Sequence, residues 1–178
     1  MTTDIASQLE QAVRLHQAGR LTEVEPVYLR ILEQHPEHVE AMFLLGTLHL
    51  QRAAFDQAER LLERVVQLDD RHARAYENLG IVLRKLDRLE EAATSCRRAI
   101  AIAPESFGAH NTLAAILRAL KRYPEAVACY RKAIALNPAY AEAYSNMAIA
   151  LIELGRYAEA EQATRHALQL NPDNFSAY

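Results

Sequence analysis

A chain of 178 residues that is 51% hydrophobic can bury a substantial core, and its net charge of −3 excludes a molecule drawn as a whole to nucleic acid. No uncharged apolar run reaches membrane-spanning length, which excludes membrane insertion by a helix. The opening MTTDIASQLEQ lacks the basic and apolar regions of a secretory signal.

Asp4 or Ser7 offers a cap for the first helix, which runs to about Ala18 and is turned by Gly19. Its partner helix contains Pro26, expected in the first turn, where a missing N–H is tolerated. Helical pairs follow over 39–72 and 73–106. In the pair over 107–140, Pro124 stands where the second helix begins, a position proline favours. Asn137-Pro138 reads as an N-cap and the first helical residue of the next unit. Over 141–174 the pattern is clearest. Tyr144, Met147, Ala148, Leu151 and Leu154 make one apolar stripe, and Ala160, Ala163, Thr164, Ala167 and Leu170 make a second. Gly155 between them can take the left-handed conformation that ends a helix. Asn171-Pro172 stops the second helix, because proline disfavours helical geometry in the residue before it. Phe175, Ser176, Ala177 and Tyr178 begin a further unit.

Five units start at Ile5, Val39, Ala73, Phe107 and Ala141, each 34 residues from the last. The eighth position reads Ala12, Gly46, Gly80, Ala114, Ala148. The twentieth reads Val24, Ala58, Ala92, Ala126, Ala160, and the twenty-seventh Ile31, Val65, Ala99, Ala133, Ala167. The seventeenth reads Leu21, Phe55, Leu89, Tyr123, Tyr157. Small residues meet small ones and large meet large. Each unit is a helical hairpin, apolar on more than one side, that cannot bury all of that surface alone. The first unit has Gln8 and Gln11 where the others carry large apolar residues, as a capping unit would. Ala126 is expected where two helices touch, and Ala128 to face outward.

This register resembles the tetratricopeptide repeat family. The third unit shows the family pattern as Tyr76, Leu79, Gly80, Ala92, Ala99 and Pro104, and the likeness covers residues 5–174. Gln8, His110 and Asp70 depart from it. The resemblance implies an all-α, right-handed superhelical solenoid of five antiparallel helix pairs. It also implies that the first helix of each pair lines the concave face.

No catalytic set, phosphate loop or dinucleotide fingerprint is present, and no cofactor is expected. His35 and His38 are three apart, and His72 lies one period beyond His38. They read as polar residues at turns rather than metal ligands. His49 reads as a hydrogen-bonded core residue, and Tyr76, Tyr130, Tyr144 and Tyr157 as core aromatics. Cys96 and Cys129, on second helices, read as reduced thiols of a cytoplasmic protein. Arg97, Arg98, Arg131, Lys132 and Arg165 form a solvated stripe with Glu91, Glu125 and Glu159 nearby, which gives no reason for a nucleic-acid role.

The family resemblance places Phe43, Thr47 and Leu50 on the concave surface. With them come Arg74, Glu77, Asn78, Ile81, Arg84 and Lys85, then Asn111, Thr112 and Arg118, then Ser145, Asn146 and Ile149. The Lys and Asn set with which chaperone-tail binders of the family clamp two carboxylates is absent. Asn78 and Asn146 flank Thr112 in a row that resembles, in part, the asparagine ladder of O-linked N-acetylglucosamine transferase arms. An amide both donates and accepts, so it can pair with a peptide backbone whatever its side chains. The expected function is a non-catalytic scaffold that binds a protein or peptide segment in its groove. The alternative is the substrate-recruiting arm of a larger enzyme, a glycosyltransferase. The last unit lacks a polar cap, so the chain is expected to be cut from a longer repeat protein or to self-associate there.

Overall fold

A computed structural model describes residues 5–172, and all the regular structure among them is helical. Ten helices follow one another: α1 (Ile5–Gln17), α2 (Leu21–Gln34), α3 (Val39–Gln51), α4 (Phe55–Leu68), α5 (Ala73–Lys85), α6 (Leu89–Ile102), α7 (Phe107–Ala119), α8 (Tyr123–Leu136), α9 (Ala141–Glu153) and α10 (Tyr157–Leu170). Odd-numbered helices have 13 residues and even-numbered ones 14, so the 34-residue period of the sequence is the period of the fold.

Each odd helix packs on the even helix after it, and each even helix on the next odd one. Odd helices also touch one another, α3 with α5, α5 with α7 and α7 with α9, whereas the even helices make no comparable contact among the described residues. The stack is therefore tightest along the odd helices, and these line the inner side of its curve.

The turn inside every pair is built the same way. Gly19, Ala53, Asp87, Lys121 and Gly155 have φ of +71°, +57°, +61°, +59° and +71°. The next amide then bonds back to the last helical turn: Arg20 N to Leu15 O at 3.0 Å, Arg88 N to Leu83 O at 2.9 Å and Arg156 N to Leu151 O at 2.9 Å. This left-handed cap satisfies carbonyls the helix would otherwise strand. In four pairs the residue after it is an arginine that grips the glutamate three positions on. Arg20–Glu23, Arg88–Glu91, Arg122–Glu125 and Arg156–Glu159 each have Nε to Oε1 at 2.7 Å. Hydrogen bonding from these arginines holds the four carboxyls below the usual glutamate range.

The core is one continuous cluster from the second pair to the last, joined to a smaller one around Ala12, Val24, Tyr28, Leu45 and Leu48. Ala126 is fully buried at a helix contact and Ala128 is exposed, as expected.

Several local expectations need correction. Asn137 is the C-cap of α8, not an N-cap; Pro138 and Ala139 form a turn, and α9 begins at Ala141 behind Tyr140. Asn137 Oδ1 accepts from Ala139 N at 3.2 Å, so the amide stabilises that turn instead. Pro26 sits in the second turn of α2, inside the helix, where it is exposed to solvent and the carbonyl it leaves unbonded can be hydrated. Ser7 lies within α1, and Asp4 lies outside the described residues, as do 173–178. Tyr157 is 69% exposed, unlike Leu21, Phe55, Leu89 and Tyr123, because no described pair follows to cover it. His49 is buried, and burial lowers its pKa. His38 and His72 are N-caps, whose side chains accept from Ala41 N and Ala75 N at 3.2 Å; Ser106 does the same for Ala109 N at 3.1 Å. Among the described residues no group of His, Cys, Asp or Glu could hold a metal, and no helix is long and apolar enough to cross a membrane.

Candidate functional site: the inner groove

The inner face is built from the same few positions of α1, α3, α5, α7 and α9. Because these helices touch, polar side chains from one reach the next. Asn78 Nδ2 on α5 donates to Thr47 Oγ1 on α3 at 3.0 Å, and that hydroxyl donates to Phe43 O at 2.9 Å. Glu77 accepts from Ser106 Oγ at 3.2 Å. A Cβ on Gly108 would lie 2.5 Å from Glu77 Oε1, so glycine there admits the carboxylate between the helices. Burial raises the Glu77 pKa, against the pull of Ser106 and Arg74.

Farther along, Asn111 Nδ2 donates to the Tyr140 hydroxyl at 3.2 Å, and that hydroxyl donates to Glu142 Oε2 at 3.1 Å. Asn146 Nδ2 reaches Glu142 Oε1 at 3.4 Å. Burial and then Glu142 push the Tyr140 pKa up. The aromatic rings of Tyr140 and Phe107 meet edge to face, centroids 5.2 Å apart. The inner amides are thus joints between successive pairs as well as surface groups.

Phe43 was expected to offer apolar contact to a ligand, but only 1% of it is exposed. It packs against His72, centroids 4.6 Å apart, and Arg74 lies over its ring at 4.9 Å. Asn111, Thr112 and Ser145 are buried too, at 5, 9 and 5% exposure, because the odd helices stand close there. Thr47, Leu50, Glu77, Asn78, Ile81 and Asn146 are partly buried, whereas Arg74, Lys85 and Ile149 are exposed. Thr47 and Arg74 line an open pocket of about 300 Å³ with Val13, Glu40, Leu44 and Gln51. An adjoining apolar cleft of about 440 Å³ lies along Ala6, Leu9 and Val13 of α1.

Arg84 and Arg118 are equivalent residues of α5 and α7, each partly buried. The Nε of each is enclosed without a hydrogen-bond acceptor. Burial raises the pKa of Tyr130, a fully buried residue of α8, and the positive charges of Arg118 and Arg84 oppose the rise. Tyr140 and Ser106 belong to the site although the sequence reading passed over them, whereas Tyr130 is fully buried, the core aromatic it was read as. The signal was available: Ser106 and Tyr140 stand one and two periods beyond His72, at the junction of successive pairs.

Arg98, Arg131 and Arg165 of the outer basic stripe are paired with carboxylates. Arg98 meets Asp70 at 3.6 Å, Arg131 meets Glu159 at 2.8 Å and Arg165 meets Glu161 at 2.7 Å. Glu91 and Glu125 are held by Arg88 and Arg122 rather than by the stripe.

Stacked helical hairpins in constant register around an inner groove define an α-helical repeat scaffold. The chain matches the family model described as tetratricopeptide repeat over residues 9–56 and 48–107. Related models of the same repeat match 114–155 and 141–174. It belongs to the tetratricopeptide repeat family. No curated protein matches the sequence. Among solved structures it is similar to PilF of Pseudomonas aeruginosa, with 20% identity and a TM-score of 0.86, covering 97% of this chain and 79% of that one. It is also similar to MamA from Desulfovibrio magneticus RS-1, with 16% identity and a TM-score of 0.83, covering 98 and 99%. YrrB, described as a TPR protein with an unusual peptide-binding site, shares 19% identity at a TM-score of 0.77, covering 98 and 90%. These likenesses concern the fold.

Proposed function

We propose that the protein is a non-catalytic interaction scaffold that holds an extended or helical segment of a partner protein along its inner groove. What supports this reading is the exposure of Arg74, Lys85, Ile149 and Ile152 on odd-numbered helices, together with the open pocket that Arg74 lines with Val13 and Leu44. Leu50, Ile81 and Ile149 supply apolar contact, Asn78 and Asn146 meet the partner backbone, and the basic residues favour acidic side chains. The peptide-binding site of YrrB, on a similar fold, supports the assignment. Two free thiols suit a cytoplasmic setting, and the paired outer arginines leave little to draw a nucleic acid. The narrower likeness to glycosyltransferase arms rests on Asn78 and Asn146, and the row they form is interrupted by the buried Thr112.

The test is a peptide-library screen by fluorescence anisotropy, repeated with Ile81→Glu and Ile149→Glu together. Binding should be lost while helical content is unchanged, and the outer-face control Ala128→Glu should bind as the parent does. Equal affinity in all three proteins would move the site off the groove.

A further inference from the structure

We propose that the open face of α10 is a docking surface for a second copy of this chain, with the two α10 helices antiparallel about a two-fold axis at the level of Ala163. The proposal goes beyond the groove reading and does not depend on it, because the groove is built from odd-numbered helices.

Along the stack, one stripe of the even-numbered helices faces the pair that follows. Glu25 of α2 meets Arg52, Glu59 of α4 meets Arg88, and Arg131 of α8 meets Glu159 at 2.8 Å. The matching stripe of α10 holds Tyr157, Glu161, Thr164, Arg165 and Leu168, spaced as one face of a helix. Tyr157, Glu161 and Arg165 are exposed there, and Thr164 and Leu168 partly so.

The charge on this stripe differs from that on the covered ones. At the positions of Glu161 and Arg165, α2 has Glu25 and Leu29, α4 has Glu59 and Glu63, α6 has Ala93 and Arg97, and α8 has Val127 and Arg131. Among the described helices only α10 carries opposite charges at the two sites. They pair with each other at 2.7 Å in solvent, so little is lost when each exchanges its partner. A face with both signs one helical turn apart complements itself about a two-fold axis. In the antiparallel arrangement Glu161 stands level with Arg165 of the partner subunit, and Arg165 with Glu161 of the partner subunit. The same axis sets Tyr157 within one residue's rise, about 1.5 Å, of the level of Leu168 of the partner subunit. Two apolar contacts then flank two ion pairs.

A head-to-tail stack is the competing arrangement, and α1 is not built for it. The positions of Ser7 and Arg14 are Ala41 and Leu48 in α3, Ala75 and Val82 in α5, Ala109 and Ile116 in α7, and Ala143 and Ala150 in α9, all fully buried. Helix α1 in the place of a following helix would bury the Arg14 guanidinium, which is now exposed beside Glu10.

The experiment is sedimentation equilibrium of the full chain over a concentration series. The parent should pass from monomer to dimer and stop there. Glu161→Arg alone sets like charges against each other across the axis, and so does Arg165→Glu alone. Each should raise the dimer dissociation constant at least about tenfold. An equimolar mixture of these two variants should recover the dimer, since each copy supplies the sign the other lacks. Tyr157→Glu should weaken the dimer, whereas Lys132→Gln on α8 should not. A parent that stays monomeric throughout would overturn the proposal and leave the face to a different partner. Growth beyond the dimer would overturn it in favour of head-to-tail stacking. Dimers that neither reversal weakens, or a mixture that stays monomeric, would also overturn it. Circular dichroism on each variant separates loss of assembly from loss of fold.

Discussion

Ala53 and Lys121 adopt a left-handed backbone that alanine and lysine rarely accept, with φ of +57° and +59°. The same position is Gly19 in the first pair and Gly155 in the last, and a Cβ at either glycine would meet nothing within 4 Å. The cost at Ala53 and Lys121 is therefore one of backbone conformation alone. Ala53→Gly should raise stability by about 1 kcal/mol, since the strain relieved exceeds the extra chain entropy of glycine. Gly155→Ala should lower it by a similar amount. Thermal midpoints of the two variants check this, and midpoints moving in the same direction would be incompatible with it. His49 gives a second expectation at this scale. Burial lowers its folded pKa below the ordinary 6.5, so the unfolded chain takes the proton first. Stability from His49 is then present at neutral pH and is lost as pH falls below about 6.5. His49→Gln should flatten that slope in urea titrations run between neutral and mildly acidic pH.

Within an element pair, approach distance is decided by the smallest side chains. A Cβ on Gly80 would lie 2.3 Å from Cys96 Sγ and 3.2 Å from Ala92 O, so α5 and α6 meet there with no spare volume. The equivalent residues Ala12, Ala114 and Ala148 carry a methyl group and are buried, which shows that each pair sets its own spacing. Gly80→Ala should cost about 1–3 kcal/mol through overpacking, and Cys96→Ala in the same chain should recover part of it. Chemical denaturation of both single variants and the double variant measures the coupling; simple additivity would mean the two residues do not press on each other. Cys96 itself is buried, and its thiol pKa is pushed up to about 12, mainly by burial, so it serves packing rather than reactivity.

For the molecule as a whole, each pair contacts only its neighbours, so stability is close to a sum of pair and junction contributions. Helix α7 buries eight residues, α1 only Ala12, and α10 only three alanines. Hydrogen exchange should be slowest in α5 to α8 and fastest in α1 and α10, with opening spreading inward from the ends. Uniform protection along the chain would instead mean one all-or-none unit. The same ranking bears on the groove, whose most polar section lies across the most protected helices. Partner binding there should need little ordering, which favours a pre-formed site.

The 34-residue spacing of small and large residues determined the helix pairs, the alanine contacts and the turn glycines, because each of these depends on local chain geometry and on side-chain size alone. It also ranked Pro124, Gly155 and Ala126 correctly. The sequence could not show how far the inner helices close on one another. That distance buries Phe43, Thr112 and Ser145, turns Asn78 and Asn111 into joints, and brings Tyr140 to the inner helices. It likewise hid that Glu77 and Glu142 bond to the hydroxyls of Ser106 and Tyr140. Periodicity assigns a residue to a face; which polar partner it finds there depends on side chains one repeat away, and only the curvature of the stack decides that.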